Sequence, residues 1–446
     1  MAAASGSGSA SAGRVPRDPR AIAVEVVRRV ADEGAYSNRL LPALLERSRL
    51  DVRDRQLATE LAYGTLRRMV GIDGMLEPLL ERPLEAAPAA ARAALRVGAY
   101  QLLHTRIPAH AAVGETVDTA PRPQRAFVNA VLRRLASNPP PASPAGGGDE
   151  TIAARTGLTP WAVGELRRVL GSEQEAEVAA RALASPGPLG LRTNPCRTTA
   201  VELEARLSEA GLRPRRGSLH AGSLHIAGGA PVSLPGFAEG WFAVQDEASA
   251  YVVDVLDPRS GDLVLDACAA PGGKAGDIAC RAGSVVASDL SEPRARLVRE
   301  TGERLGVRVS LLVQDAARPA IREGFDRVLV DAPCSGIGAA RRRPELLWRP
   351  QRSRLSSLAR LQVRLALGAA SLLRPGGIFV YSVCTFPRAE TDAVCDALEA
   401  KAQWLRPDPF SGPEGRATAR VRLWPHRDGT DAMFVARFVR APGSGG

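Results

Sequence analysis

Along the first third of the chain, apolar residues recur at the spacing of a helix. Ile22, Val26, Val27 and Val30 share one face, as do Leu57, Leu61 and Leu66. Asp18 ahead of Pro19 predicts a helix start, with the carboxylate capping free amides and proline filling the first helical position. The segments A-A-R-A-A-L-R-V-G-A-Y-Q-L-L-H and Q-R-A-F-V-N-A-V-L-R-R-L keep the same period, so residues 16–138 are expected to form an all-α domain. Proline stiffness and glycine freedom in N-P-P-P-A-S-P-A-G-G-G-D-E oppose a packed element and predict a linker over 139–150. A mixed stretch follows. Helical W-A-V-G-E-L-R-R-V-L, extended L-G-L-R-T-N, helical V-E-L-E-A-R-L and extended S-L-H-I predict a small α+β module over 151–241.

From Phe242 the texture changes to short apolar runs, each ending in a polar residue and followed by a helical segment. The runs are Leu263 to Asp266, Val285 to Asp289, Leu311 to Asp315, Arg327 to Asp331 and Ile378 to Ser382, and four of the five end in aspartate. Buried parallel strands joined by helices give this pattern, so 242–440 is expected to be an α/β domain with a Rossmann-like sheet. Ligands of such sheets gather at the carboxyl ends of the strands. A late apolar run, A-M-F-V-A-R-F-V, could complete the sheet. Residues 1–15 and 441–446 are expected to be flexible tails, and no internal repeat is present.

Composition narrows the function. Hydrophobic residues make up 45% and charged residues 24% of 446, ordinary for a soluble protein, and no apolar run approaches the roughly 20 residues that span a bilayer. The N-terminal residues lack both a basic start and a continuous apolar segment, so a secretory signal is not expected and the cytoplasm is the default. The formal net charge of +11 favours a polyanionic partner such as nucleic acid. Lysine is nearly absent, which makes Lys274 and Lys401 worth noting. None of the six cysteines, Cys196, Cys268, Cys280, Cys334, Cys384 and Cys395, has the close spacing of a zinc site or redox motif, so no structural metal is expected, and in a cytoplasmic setting no disulfide is expected either. Each thiol is then a small buried hydrophobe or a chemical group.

After L-V-L-D comes A-C-A-A-P-G-G-K and a helical stretch. Small residues and two glycines let a strand-to-helix turn approach a ligand closely, and the helix start offers free amides. The phosphate-loop spacing is absent, since Lys274 follows Gly273 directly and Ala275 replaces the hydroxyl, so ATP binding is disfavoured. Asp289 ends the next strand about 20 residues on, where a carboxylate can accept hydrogen bonds from ribose hydroxyls. These features alone leave NAD and S-adenosylmethionine open, and a plain structural turn as well.

The motifs D-A-C-A-A-P-G-G-K, D-A-P-C-S-G with R-R-R-P-E-L-L-W following, and Y-S-V-C-T-F resemble those of class I RNA (cytosine-5) methyltransferases. L-R-V-G-A-Y-Q-L-L-H-T-R-I-P-A-H-A-A-V-G-E-T-V and F-V-N-A-V-L-R-R-L are similar to the NusB-like domain of the RsmB (Sun/Fmu) branch, the 16S rRNA methyltransferases. The resemblance runs from Asp18 to Arg440, with the motifs in the family's order. It implies a class I S-adenosylmethionine-dependent methyltransferase fold preceded by an RNA-binding NusB-like domain.

It also implies roles. Cys268, Ala269, Ala270, Pro271, Gly272, Gly273 and Lys274 would wrap the methionine part of the cofactor, with Asp289 at the ribose and Asp315 near the adenine. Asp315 could equally cap a turn. Cytosine carbon 5 is a poor nucleophile until a thiolate adds at carbon 6 and makes it enamine-like. The family assigns that attack to Cys384 and an assisting role to Cys334, although spacing alone cannot choose and the reverse assignment remains a rival. Asp331 would touch both cofactor and base, hydrogen-bonding a protonated ring nitrogen, or it caps its turn. Val383 and Thr385 depart from the family's usual threonine and serine around the nucleophile.

Arg341, Arg342, Arg343 and Trp348, just past Cys334, would bind RNA phosphates and stack on an unpaired base, unless they are a solvated arginine-rich face. The expected partner is 16S rRNA, with no membrane and no metal, and a monomer is favoured. The competing functions are tRNA cytosine-5 methylation, a noncatalytic ribosome-assembly factor on a retired fold, and a small-molecule or protein methyltransferase.

Overall fold

Two contact units divide the chain in the computed structural model, which describes residues 18–139, 148–322 and 324–442. The tail expected over 1–15 lies outside the described residues, as do most of the linker over 139–150 and most of the 441–446 tail.

One unit is helical and holds the described residues up to Leu158 together with Arg343–Trp348. Its helices are α1 (Pro19–Asp32), α2 (Ser37–Arg47), α3 (Val52–Leu76), α4 (Ala89–His104), α5 (Ala109–Thr119), α6 (Arg125–Ser137) and α7 (Asp149–Thr156). The predicted start of α1 is present: the Asp18 carboxylate accepts the Ala21 amide at 2.7 Å and Pro19 opens the helix. Ile22, Val26, Val27 and Val30 are fully buried, with Leu61 and Leu66 of α3 beside them in one core. Each such side chain contributes about 1.5–3 kcal/mol by leaving water. Although the sequence pattern assigned α7 mostly to the small module, it packs with this helical unit.

The second unit opens with α8 (Pro160–Leu170) and α9 (Glu173–Leu183). A small antiparallel sheet follows, built from β1 (Leu189–Thr193), β2 (Arg215–Arg216), β3 (Ser223–Ile226) and β4 (Phe242–Val244) in the order β2-β3-β1-β4. Between β1 and β2 lies α10 (Ala200–Glu209), started by a capping box in which Thr199 and Glu202 exchange side-chain and backbone hydrogen bonds. Phe242, taken from sequence as the beginning of the α/β texture, pairs through β4 with β1 and belongs to this small sheet.

The large sheet begins after α11 (Glu247–Leu256). Its parallel strands are β5 (Leu263–Asp266), β6 (Ser284–Asp289), β7 (Ser310–Val313), β8 (Phe325–Asp331) and β9 (Leu373–Val383). Helices α12 (Gly273–Ala282), α13 (Glu292–Leu305), α14 (Leu355–Ala370) and α15 (Asp392–Lys401) alternate with them. Its antiparallel strands come last: β10 (Leu405–Pro407), β13 (Arg420–Leu423) and β14 (Met433–Arg440), with β11 (Phe410–Ser411) and β12 (Ala417–Thr418) forming a separate hairpin between β10 and β13. The order β10-β14-β9-β8-β5-β6-β7 puts β14, the late apolar run, against β9. From β5 the chain winds outward through β6 and β7, then returns to β8 on β5's other side. That reversal opens a crevice at the carboxyl ends of β5 and β8.

Two expectations fail in this unit. Cys196 and Cys280, 84 residues apart in sequence, form a disulfide with Cα atoms 5.6 Å apart, because the turn after β1 meets α12. Proximity of that kind comes from topology, which cysteine spacing does not encode. The strand read over Leu311 to Asp315 also stops at Val313, so Asp315 lies in the following turn. No described helix is long and apolar enough to cross a membrane.

Candidate active site

The turn between β5 and α12 is shaped by its glycines. Gly272 sits at φ 106°, a conformation L side chains rarely adopt, and a Cβ there would come within 3.0 Å of the Val298 backbone. The loop is pinned to β6: the Ala269 amide donates to the Ser288 carbonyl at 2.9 Å, and the Ala270 amide to the Asp289 carboxylate at 3.3 Å. Ala270 and Pro271 are joined by a cis peptide. Asp289 is buried and also accepts from the Leu290 amide and from Arg294 Nε at 2.7 Å. Cys268 is half-buried, and burial together with nearby carboxylates pushes its thiol well above the ordinary range. Asp315 is exposed and accepts the Ala317 amide at 2.9 Å, the turn-capping geometry.

At the tip of β8, Asp331 is held from two sides. Lys274 Nζ donates to Oδ2 at 2.6 Å, and the Ser382 hydroxyl of β9 donates to Oδ1 at 2.9 Å. Burial works against the Lys274 ammonium, yet the Asp331 carboxylate outweighs it and holds the lysine pKa above its usual value. Asp266, at the tip of β5, is fully buried, and neither carboxylate oxygen finds a hydrogen-bond partner of good geometry. Burial raises its pKa to about 7, despite the opposing pull of Lys274.

Cys334 and Cys384, 50 residues apart, meet with sulfurs 3.5 Å from one another. They follow the ends of neighbouring strands, Cys334 after β8 and Cys384 directly after β9. The contact with Cys384, followed by burial, pushes the Cys334 thiol well above the ordinary cysteine range, so it keeps its proton at neutral pH. The two loops are zipped together beyond the sulfurs. The Gly338 amide donates to the Cys384 carbonyl at 3.1 Å, and a Cβ at Gly338 would lie 2.1 Å from the Ala432 carbonyl oxygen. Val383 is fully buried in the core, whereas Thr385 meets the Ser335 hydroxyl at 2.7 Å.

The four residues expected to reach RNA are partly exposed, and each has an intramolecular partner. Arg341 Nη1 donates to the carbonyls of Gly429 and Thr430 at 2.6 and 2.9 Å. Arg342 pairs with Asp246 and with Asp431 and donates to the Pro188 carbonyl at 2.8 Å. Arg343 lies over the Tyr36 ring, 4.8 Å from its centre, and Trp348 Nε1 donates to the Leu66 carbonyl at 3.0 Å. Glu345 between them is fully buried and accepts from the Ser37 hydroxyl at 2.6 Å. Each of the four thus has an intramolecular partner, and the segment 343–348 serves the packing of the helical unit. Among the described residues no cluster of three or more His, Cys, Asp or Glu is placed to hold a metal ion.

Several residues around the thiols carried no role in the sequence pattern. Ser382 had a usable signal, lying two positions before Cys384 on the same face of a strand. Asp266 opens the D-A-C-A motif. Glu390, Ser335 and Gln362 had none that spacing could supply.

The C-terminal part of the chain, residues 253–439, matches the family model described as 16S rRNA methyltransferase RsmB/F, and residues 17–137 match the NusB family. The chain is 34% identical to the ribosomal RNA small subunit methyltransferase B of Pseudomonas syringae pv. tomato over 448 residues, covering 95% of this chain and 97% of that one. It is 35% identical to the protein of the same name from Pseudomonas putida, covering 96% and 100%. Among solved structures, PH0851 shares its fold over 95% of this chain and 99% of that one, with TM-score 0.83 and 24% identity.

Proposed function

Since the chain belongs to the RsmB/F family of 16S rRNA methyltransferases, we propose that it methylates carbon 5 of a cytosine in 16S rRNA, with Cys384 as nucleophile and Cys334 assisting release. The observation that carries this reading is the meeting of two thiols from two strand ends beside a lysine-held carboxylate. A retired methyltransferase fold would have no use for that arrangement, nor would an enzyme acting on a more nucleophilic atom.

The residues present suit S-adenosylmethionine. The buried Asp266 carboxylate, without a side-chain hydrogen-bond donor, offers a counter-charge for an ammonium, the Gly272–Gly273 turn leaves room for close approach, and Asp289 stands at the next strand tip. When bound, that cofactor supplies an electrophilic methyl group on a sulfonium. Cys268 through Lys274 would line its methionine portion and Asp289 its ribose, while Asp315, in the turn after β7, would border the adenine.

Cys384 adds to carbon 6 of the flipped-out base, and Asp331 steadies the proton gained by the ring nitrogen. Carbon 5 then carries enamine density, the nucleophile to which a bound cofactor would supply its methyl group, leaving as the neutral thioether. Loss of the carbon 5 proton to water restores the ring and expels the Cys384 sulfur as a thiolate, which the Cys334 thiol, in contact with it, is placed to protonate. Lys274 and Ser382 fix the carboxylate through both of its oxygens. The NusB-like helical unit would supply RNA affinity that this pocket lacks.

Asp266 gives the cofactor reading a pH-dependent test. Unfolded, its carboxyl titrates near 3.8, and folded near 7. The unfolded chain therefore loses the proton first, and stability falls as pH rises from about 4 to about 7, then stays reduced. Asp266→Asn should raise Tm at about pH 8, recovering on the order of 2–4 kcal/mol, and change it little near pH 3. The same variant should bind S-adenosylmethionine at least about tenfold more weakly by calorimetry. Unchanged affinity would remove Asp266 from the cofactor site.

Bisulfite sequencing of rRNA and tRNA from cells lacking the gene tests the substrate. One 16S cytosine should lose its protection and regain it on complementation. Loss confined to tRNA would support the tRNA reading instead.

A further inference from the structure

Glu390 is fully buried in the turn that follows the Cys384 loop, and every polar neighbour it has there belongs to the scaffold of one thiol or the other. Its Oε1 accepts from the Ser335 amide at 2.9 Å and from Gln362 Nε2 at 3.0 Å, and its Oε2 accepts from the Ser335 hydroxyl at 2.6 Å. Ser335 immediately follows Cys334. The same Gln362 amide donates to the Pro333 carbonyl at 3.0 Å, on the other side of Cys334. The Ser335 hydroxyl in turn meets the hydroxyl of Thr385, which immediately follows Cys384, at 2.7 Å. Tyr381 of β9 completes the anchorage by donating its hydroxyl to the Glu390 carbonyl at 2.7 Å.

We propose that Glu390 is the positioning residue that sets the spacing of the two catalytic thiols, acting through Ser335 and Thr385 without touching substrate or cofactor. The inference rests on the two-thiol reading of the active site. The groups facing the carboxylate, the Ser335 amide and hydroxyl, the Gln362 amide and the Thr385 hydroxyl, can all donate, the set an acceptor-only group satisfies. With the Ser335 proton committed to Glu390, the Ser335 oxygen accepts from Thr385, so one ordered chain runs from the Cys384 loop through the Cys334 loop to a buried anchor. Burial raises the Glu390 carboxyl above its ordinary range, while the Ser335 and Gln362 donors draw it back. A thiol pair 3.5 Å apart that must act in sequence on adjacent ring carbons tolerates little drift, and a misplacement near 1 Å can cost about 10²-fold in rate.

Glutamine and alanine separate positioning from mere presence. In Glu390→Gln the amide oxygen can keep the Ser335 amide and Gln362, and its N–H can donate to the Ser335 hydroxyl, which then donates to Thr385. The geometry survives with the hydroxyl polarity reversed. In Glu390→Ala the buried donors around it lose their acceptor.

With purified full-length enzyme, 16S rRNA transcript and S-adenosylmethionine, Glu390→Ala should lower kcat by about 10²-fold with KM for both substrates within about threefold. Glu390→Gln should restore most of the rate without shifting the pH profile. Should Glu390→Ala not fold, Ser335→Ala and Thr385→Val, each breaking one link, should lower kcat about tenfold with the same KM pattern. A folded Glu390→Ala with wild-type kcat overturns the proposal, as do wild-type rates in both link variants. A Glu390→Gln as slow as alanine, with a displaced pH profile, also overturns it and assigns Glu390 to proton transfer. Failure of the two-thiol reading is distinguishable, because wild-type enzyme would then methylate RNA without passing through any protein adduct.

Discussion

Cys334→Ala enzyme, mixed with RNA and S-adenosylmethionine, is expected to accumulate a protein–RNA adduct that survives denaturing gels, whereas Cys384→Ala forms none and does not methylate. The asymmetry follows from where each sulfur acts. In the proposed mechanism Cys384 makes the bond to carbon 6, so without it carbon 5 keeps its aromatic inertness, and the rate should fall by at least about 10³-fold, a barrier increase of ~4 kcal/mol. Cys334 holds its proton in the resting pair and touches the Cys384 sulfur at 3.5 Å, a geometry suited to the departure of that sulfur. Removing it leaves attack possible and release slow. The reversed pattern, an adduct in Cys384→Ala, would exchange the two roles.

Asp331→Asn should lower kcat by about 10²–10⁴-fold in single-turnover methylation while the protein stays folded. The carboxylate neutralises Lys274 at 2.6 Å and would face the ring nitrogen that gains a proton during attack. An amide of the same shape keeps a hydrogen bond to Ser382 but no charge. Lys274 then loses its hydrogen-bonded counter-charge and keeps only the more distant Asp266, leaving net positive charge beside a developing cation, opposing the transition state. A loss confined to KM would mean that Asp331 only binds the base, and an unchanged rate would remove it from the chemistry.

The strand tips were legible in the sequence because a buried parallel strand is a short apolar run and its end is polar. Asp266, Asp289 and Asp331 all terminate strands as read, and Asp18 caps the first helix as read. Asp315 shows the limit of that rule, since the chain leaves the sheet two residues earlier and the aspartate caps the turn. The arginine run illustrates a different blindness. Arg342 lies 96 residues from Asp246 and 89 from Asp431, so nothing local distinguishes a guanidinium locked between buried carboxylates from one facing solvent. Cys196 and Cys280 were hidden for the same reason. Around the thiols, the resemblance of D-A-P-C-S-G and Y-S-V-C-T-F to the family's motifs pointed to Cys334, Cys384 and Asp331, but the carboxylate that ties their loops together announces itself only through folded geometry.

A direct measurement of the sulfur–carbon bond addresses the central claim. Wild-type enzyme, S-adenosylmethionine and RNA containing 5-fluorocytidine should arrest after methyl transfer, because fluorine at carbon 5 cannot leave as a proton does. Protease and nuclease digestion followed by mass spectrometry should then find the methylated fluoronucleotide on the peptide carrying Cys384. The nucleotide on the Cys334 peptide, or no protein-bound nucleotide from enzyme that methylates unmodified RNA at full rate, would contradict the account.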